Sequence, residues 1–226
     1  RAWTSAVGTQ AAHLFPVRDT IRWRTDSAMT RYLKNYGENP PRGALLQYSL
    51  GKKAEGEVTI EITDASGALV KRLSSKKKED GGEDEEDHDA DGGGDKPTLL
   101  PTAAGVQRFA WDLTYEGAKL IRKAKIDWGD PQQGPLVPPG RYTAKLTANG
   151  QTQTTSFEVK PEPRLAMKAG DYAEQNKFAL QLRDDISKLT GIVNDLQNVR
   201  AQVKARNEAL KSTASAAALV KQGEAL

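Results

Sequence analysis

The chain has 226 residues, 33 Lys and Arg against 30 Asp and Glu, a net charge of +3, and no cysteine. The lack of cysteine excludes disulfides, thiol nucleophiles and thiolate metal sites, and no run of 18 apolar residues is present to span a membrane. The basic excess is scattered, with no run beyond Lys76-Lys77-Lys78 and no zinc-finger spacing, which argues against a nucleic-acid partner.

Residues 1–36 read as a lead-in. Ala12 to Val17 holds a short apolar run ending at Pro16, and Thr20 to Arg24 alternates as a lone strand whose original partner is expected to be missing from this chain. From Pro40 the pattern is all-β. Leu46 to Leu50 alternates, and Val58, Ile60 and Ile62 share one face. Asp64-Ala65-Ser66-Gly67 is a turn, and Ala68 to Leu73 returns to make a hairpin. Val106 to Trp111 is a further strand. Pro138-Pro139-Gly140 is a tight turn, Arg141 to Thr147 alternates, and Asn149-Gly150 is a hairpin signal leading into Gln153 to Val159. Short strands between Gly and Pro turns predict a β-sandwich.

Pro161 and Pro163 end the β region. A long helix follows, with Asp171 as its expected N-cap and Glu174 as the capping-box partner. Leu182, Leu189, Leu196, Val203 and Leu210 recur every seven residues, with Ala179, Ile186 and Val193 between them. That is an a/d seam which needs a partner, either in this chain or in a second copy. Arg200 and Asn207 weaken the seam toward its end, and Ser212-Thr213 restarts a second helix. The opening at Arg1 and the end inside a helical pattern read as a piece of a longer chain.

Two candidate sites arise from residue chemistry. Lys76 to Lys96 holds ten acids and four lysines. Within it Asp87-His88-Asp89-Ala90-Asp91-Gly92 matches the opening of a calcium loop, with Asp87, Asp89, Asp91 and Asp95 as oxygen ligands for Ca2+. The match lapses at position eight, Gly94, and position twelve, Thr98. The competing reading is a solvated acidic insertion. Trp128, in Lys125-Ile126-Asp127-Trp128-Gly129-Asp130, is a candidate glycan-stacking platform, against a packing role at the domain edge. No GxSxG, HExxH or P-loop occurs, and His13 and His88 are the only histidines. No catalytic residue is assigned and no resident cofactor is expected beyond that calcium.

Ile62 to Val70 resembles the first hairpin of FlgD-like immunoglobulin-like domains. Gly105 to Asp112 and Val137 to Leu146 fit the same family in the same order, so the resemblance covers about residues 44–160. His13-Leu14-Phe15 resembles the tail of the propeller in bacterial sortilin-like, BNR (Asp-box) repeat proteins often labelled glycosyl hydrolases. The resemblance implies a C-terminal region of such an exported protein, extracellular or periplasmic. It implies a lead-in over 1–36 from a preceding propeller, an immunoglobulin-like β-sandwich over 37–160 with the acidic insert 76–96, and a helical extension over 161–226. The function implied is a non-catalytic accessory module that packs on or presents its own propeller. The alternatives are a carbohydrate-binding module of a glycoside hydrolase and a calcium-binding module. Other partners in view are a protein, a glycan, or a second copy through the helix.

Overall fold

The computed structural model describes residues 4–23, 42–76, 99–122, 124, 126 and 131–224. It is β-rich with a C-terminal helix. A short helix α1 (Ser5–Gly8) leads into β1 (Ala12–Leu14), β2 (Thr20–Ile21), β3 (Ala44–Leu50), β4 (Thr59–Thr63), β5 (Leu69–Ser74) and β6 (Gly105–Trp111). The chain continues through β7 (Thr114–Glu116), β8 (Gln133–Leu136), β9 (Gly140–Ala148) and β10 (Gln151–Lys160). It ends in α2 (Ala169–Leu210) and α3 (Ala217–Glu224).

Three sheets form among the described residues. One has the order β1-β3-β6, the second β2-β10-β9-β4-β5, and β7 pairs with β8 as a separate ribbon. The five-stranded sheet curls into a half-barrel. Alternation dictates its inward face: Tyr142, Ala144, Leu146 and Ala148 of β9 are buried, with Ile60 and Ile62 of β4 beside them. Leu46, Tyr48 and Leu50 of β3 and Trp111 of β6 join the same hydrophobic cluster, so one core serves both large sheets. Trp111 lies edge-on to Tyr142 at 5.7 Å and to Phe157 at 6.1 Å, and its indole N–H donates to the Thr114 carbonyl at 3.0 Å.

The turn chemistry acts as the sequence predicts. Asn149 and Gly150 both take positive φ, 49° and 73°, which suits the two-residue turn between β9 and β10. The Asp64 carboxylate accepts hydrogen bonds from the backbone N–H groups of Ser66 and Ala68, closing the β4–β5 hairpin.

The lead-in strand does have partners. β1 pairs antiparallel with β3, while β2 pairs parallel with β10, so residues 12–21 cross from one sheet to the other. The open edge of β1 is closed by side chains rather than by a strand. Gln151 Oε1 accepts from the Ala12 N–H at 3.1 Å, and Gln153 Oε1 accepts from the Leu14 N–H at 2.9 Å. Backbone groups need partners when buried, and glutamine amides supply both halves of a peptide bond's pairing.

The β7–β8 ribbon carries no alternation that announces it, since Gly134 and Pro135 are residues that strands disfavour. Its strands lie so close that a Cβ on Gly134 would stand 2.0 Å from the Tyr115 carbonyl oxygen. Only glycine fits there.

The long helix starts two residues earlier than its expected cap. α2 begins at Ala169, and Asp171 sits in its first turn, where Oδ2 accepts from the Lys168 N–H at 2.7 Å. Asp171 therefore closes the helix start from inside rather than capping it. The second helix expected after Ser212-Thr213 is present as a short 3-10 turn, Ala214–Ala216, followed by α3. It folds back on α2, where Asn207 Nδ2 donates to the Val220 carbonyl at 3.3 Å.

Candidate interaction surface on the long helix

The segment after β7 runs alongside α2, and its backbone polar groups are met by helix side chains. Asn194 does most of this. Its Oδ1 accepts from the Arg122 N–H at 3.0 Å, and its Nδ2 donates to the Leu120 carbonyl at 3.2 Å. One side-chain amide thus takes the place of a neighbouring strand's peptide. One turn earlier, Thr190 Oγ1 donates to the Lys119 carbonyl at 3.1 Å, and Ser187 Oγ accepts from the Lys119 N–H at 3.1 Å. Arg122 answers in the other direction, donating to the Asn194 carbonyl at 2.9 Å and to Asn198 Oδ1 at 2.5 Å. Toward the start of α2, Arg183 donates to the Glu116 carbonyl and Asn176 Nδ2 to the Tyr115 hydroxyl, both at 3.4 Å. Tyr172 is buried beneath the Arg22 guanidinium, 5.2 Å from its ring centroid, and Leu180 packs on the core.

Positions 176, 183, 187, 190, 194 and 198 recur at three, four or seven residues, so they form one face of the helix. This docked face is polar. The seam expected from Leu182 to Leu210 does not supply it. Phe178 is 69% exposed, Leu182 52%, Leu189 58% and Leu196 64%, and Ile192 and Val199 are equally open. At 3.6 residues per turn the exposed set and the docked set lie about 160° apart around the axis. Of the expected a positions, Ala179 and Val193 are half-buried and Ile186 is exposed at the edge of the stripe. The helix therefore turns its amphipathicity outward, holding the domain with amides and hydroxyls and presenting its apolar stripe to the exterior. No family model matches this sequence, and no curated protein matches it.

Polar residues at 187, 190, 194 and 198 are visible in the sequence at helical spacing. They were passed over because the apolar repeat on the opposite side gave a stronger periodic signal. The residues singled out as sites stand differently. Asp87, Asp89, Asp91 and Asp95, and with them the calcium reading, lie outside the described residues, as does Trp128. Among the described residues no group of three metal-ligating side chains gathers. Trp111 is fully buried as a core anchor, and Trp23 is half-exposed with Arg164 stacked on it at 5.2 Å.

In a shallow concavity lined by Lys52, Gly56 and Asn149, Glu55 is held by Lys52 Nζ at 2.6 Å and Glu57 accepts from Ser74 Oγ at 2.6 Å. The Glu55 carboxyl lies below its ordinary value because of that Lys52 hydrogen bond and charge.

Replacing Asn194 tests the docked face. Asn194→Leu leaves the Leu120 carbonyl and the Arg122 N–H without partners, and unpaired buried polar groups cost about 1–3 kcal/mol each. Urea unfolding of this variant is expected to show a loss on the order of 2 kcal/mol after partial rescue by water. An unchanged midpoint would mean that Asn194 does not carry the docking.

Proposed function

We infer that this chain is a non-catalytic accessory and interaction module of a larger exported β-propeller protein, extracellular or periplasmic, with α2 as its contact surface. The observation that carries the reading is the orientation of α2. A helix fixed to its domain by a specific polar face, with its apolar stripe outward, is built to meet a neighbour.

Two features support an immunoglobulin-like, FlgD-like identity for the β region. If the strands other than β7 and β8 are lettered A, A′, B, C, C′, E, F and G in order, the large sheets read A-B-E and A′-G-F-C-C′. That order fits an immunoglobulin-like sandwich in which the first strand divides between sheets. The second feature is Tyr142, early in β9, whose hydroxyl donates to the Pro138 carbonyl four residues upstream at 2.7 Å. Burial raises its phenol well above the ordinary range, which keeps it a donor. A tyrosine bonded back to upstream backbone at the start of the F strand is the tyrosine corner of such folds.

No helix among the described residues is long and apolar enough to cross a membrane. The reading frame that encodes this segment tests the context. Asp-box repeats and an export leader upstream are expected, and a complete frame with neither overturns the reading.

A further inference from the structure

We propose that the outward stripe of α2 pairs with the same stripe of a second copy, antiparallel, about a two-fold axis between residues 190 and 191. The inference rests on α2 being the contact surface, and it adds the partner and its direction.

The stripe of Phe178, Leu182, Leu189, Ile192, Leu196 and Val199 spans three heptads, about 32 Å of helix. Covering these half-open side chains removes on the order of 600 Å² of surface per copy, approaching the ~800 Å² per partner of a standard interface. Nothing in the chain's described part lies over it, because the docked face is on the far side of the axis. α3 packs only at the end of α2, near Asn207. The free stretch is therefore centred near residue 190.

Charge decides the direction. Asp185 interrupts the stripe itself, at the position between Leu182 and Leu189. A parallel pair in register sets Asp185 against Asp185 of the other copy, inside the apolar seam, where like charges are costly. The antiparallel arrangement avoids this. It places Leu182 opposite Val199 and Leu189 opposite Ile192 of the second copy. Asp185 then lies opposite Leu196 of the second copy, about one turn from its Arg200, and Lys188 lies within one turn of its Asp195. Each pair occurs twice by symmetry. Asp185, Lys188, Asp195 and Arg200 are all exposed, and none of them makes an ion pair within the described part of its own chain. Lys188 and Asp195 stand unpaired along one border of the stripe, Arg200 along the other, and Asp185 within it. The two β regions end up on opposite outer sides of the helix pair, so they do not collide.

Sedimentation equilibrium of the whole chain near 100 μM, a concentration that populates an interface of this size, is expected to give a dimer. Leu189→Glu with Leu196→Glu is expected to give a monomer with unchanged circular dichroism, since both side chains are exposed in the single copy. Lys188→Glu is expected to weaken the dimer about five-fold, the scale of an exposed ion pair, and adding Asp195→Lys to restore it. Direction is read with cysteines, which the natural chain lacks. Leu182→Cys and Val199→Cys chains are expected to form disulfide-linked dimers when mixed and not alone. A monomer at that concentration overturns the proposal while leaving the outward stripe as a contact surface for another partner. Self-linked Leu182→Cys dimers overturn the antiparallel direction.

Discussion

Trp111→Ala is expected to destabilise the β region by about 3–5 kcal/mol, the cost of truncating a fully buried aromatic. Trp111 is the largest fully buried side chain, at the point where β6 meets β9 and β10. Its removal leaves a cavity between the two large sheets and deletes edge-to-face contacts with Tyr142 and Phe157. Such aromatic pairs add about 0.5–1.5 kcal/mol beyond area burial. It also strands the Thr114 carbonyl, which accepts the indole N–H within the core. Thr114 opens the ribbon on which α2 rests, so the effect reaches beyond the cavity. Guanidinium unfolding followed by circular dichroism checks this, and a loss below about 1 kcal/mol would show that Trp111 is peripheral to the core.

Gly134→Val is expected to open the β7–β8 ribbon at a cost of about 3 kcal/mol or more, because the contact is with backbone and cannot relax by a rotamer change. Any Cβ at 134 meets the Tyr115 carbonyl oxygen at 2.0 Å, and the Glu116 carbonyl carbon follows at 2.8 Å. The consequence for α2 is specific. Glu116, Lys119, Leu120 and Arg122 supply the backbone and side-chain groups that bind its polar face, and β8 packs on the helix directly. Pushing the strands apart moves that platform. The helix is therefore expected to fray from the domain in Gly134→Val before the β9–β10 pairing is lost. Hydrogen exchange resolved by segment reads the order. Simultaneous loss of both segments would mean that the ribbon and the large sheets unfold as one unit.

The strands with clean alternation were legible in the sequence because one of their faces is core. Val58, Ile60 and Ile62, or Tyr142, Ala144 and Leu146, announce their inward side by composition alone. The Asn149-Gly150 turn and the existence of α2 were legible for similarly local reasons. The parts that were missed depend on contacts distant in sequence. β8 hides behind Pro135 and Gly134, whose value appears only when β7 lies alongside. The apolar repeat of α2 says only that its seam needs a partner, in this chain or in a second copy, and leaves open which face docks. Here the nearest surface of the domain is a segment whose Lys119, Leu120 and Arg122 peptide groups take helix side chains as partners, and such a segment selects amides and hydroxyls. Asn194 contacts Leu120 and Arg122 across more than 70 positions of sequence. No local pattern encodes that partnership. The same physics recurs at β1, where Gln151 and Gln153 close an edge from 139 positions away.

Amide exchange at Lys119 and Arg122 tests the orientation of α2 most directly. Their N–H groups donate to Ser187 Oγ and Asn194 Oδ1, partners they have only if the polar face of the helix is the docked one. Both amides are expected to be protected in the wild-type chain, and Arg122 is expected to lose that protection in Asn194→Ala while the amides of β9 keep theirs. Free exchange at both positions in the wild-type chain, with β9 still protected, would contradict the account and return the apolar stripe to the domain.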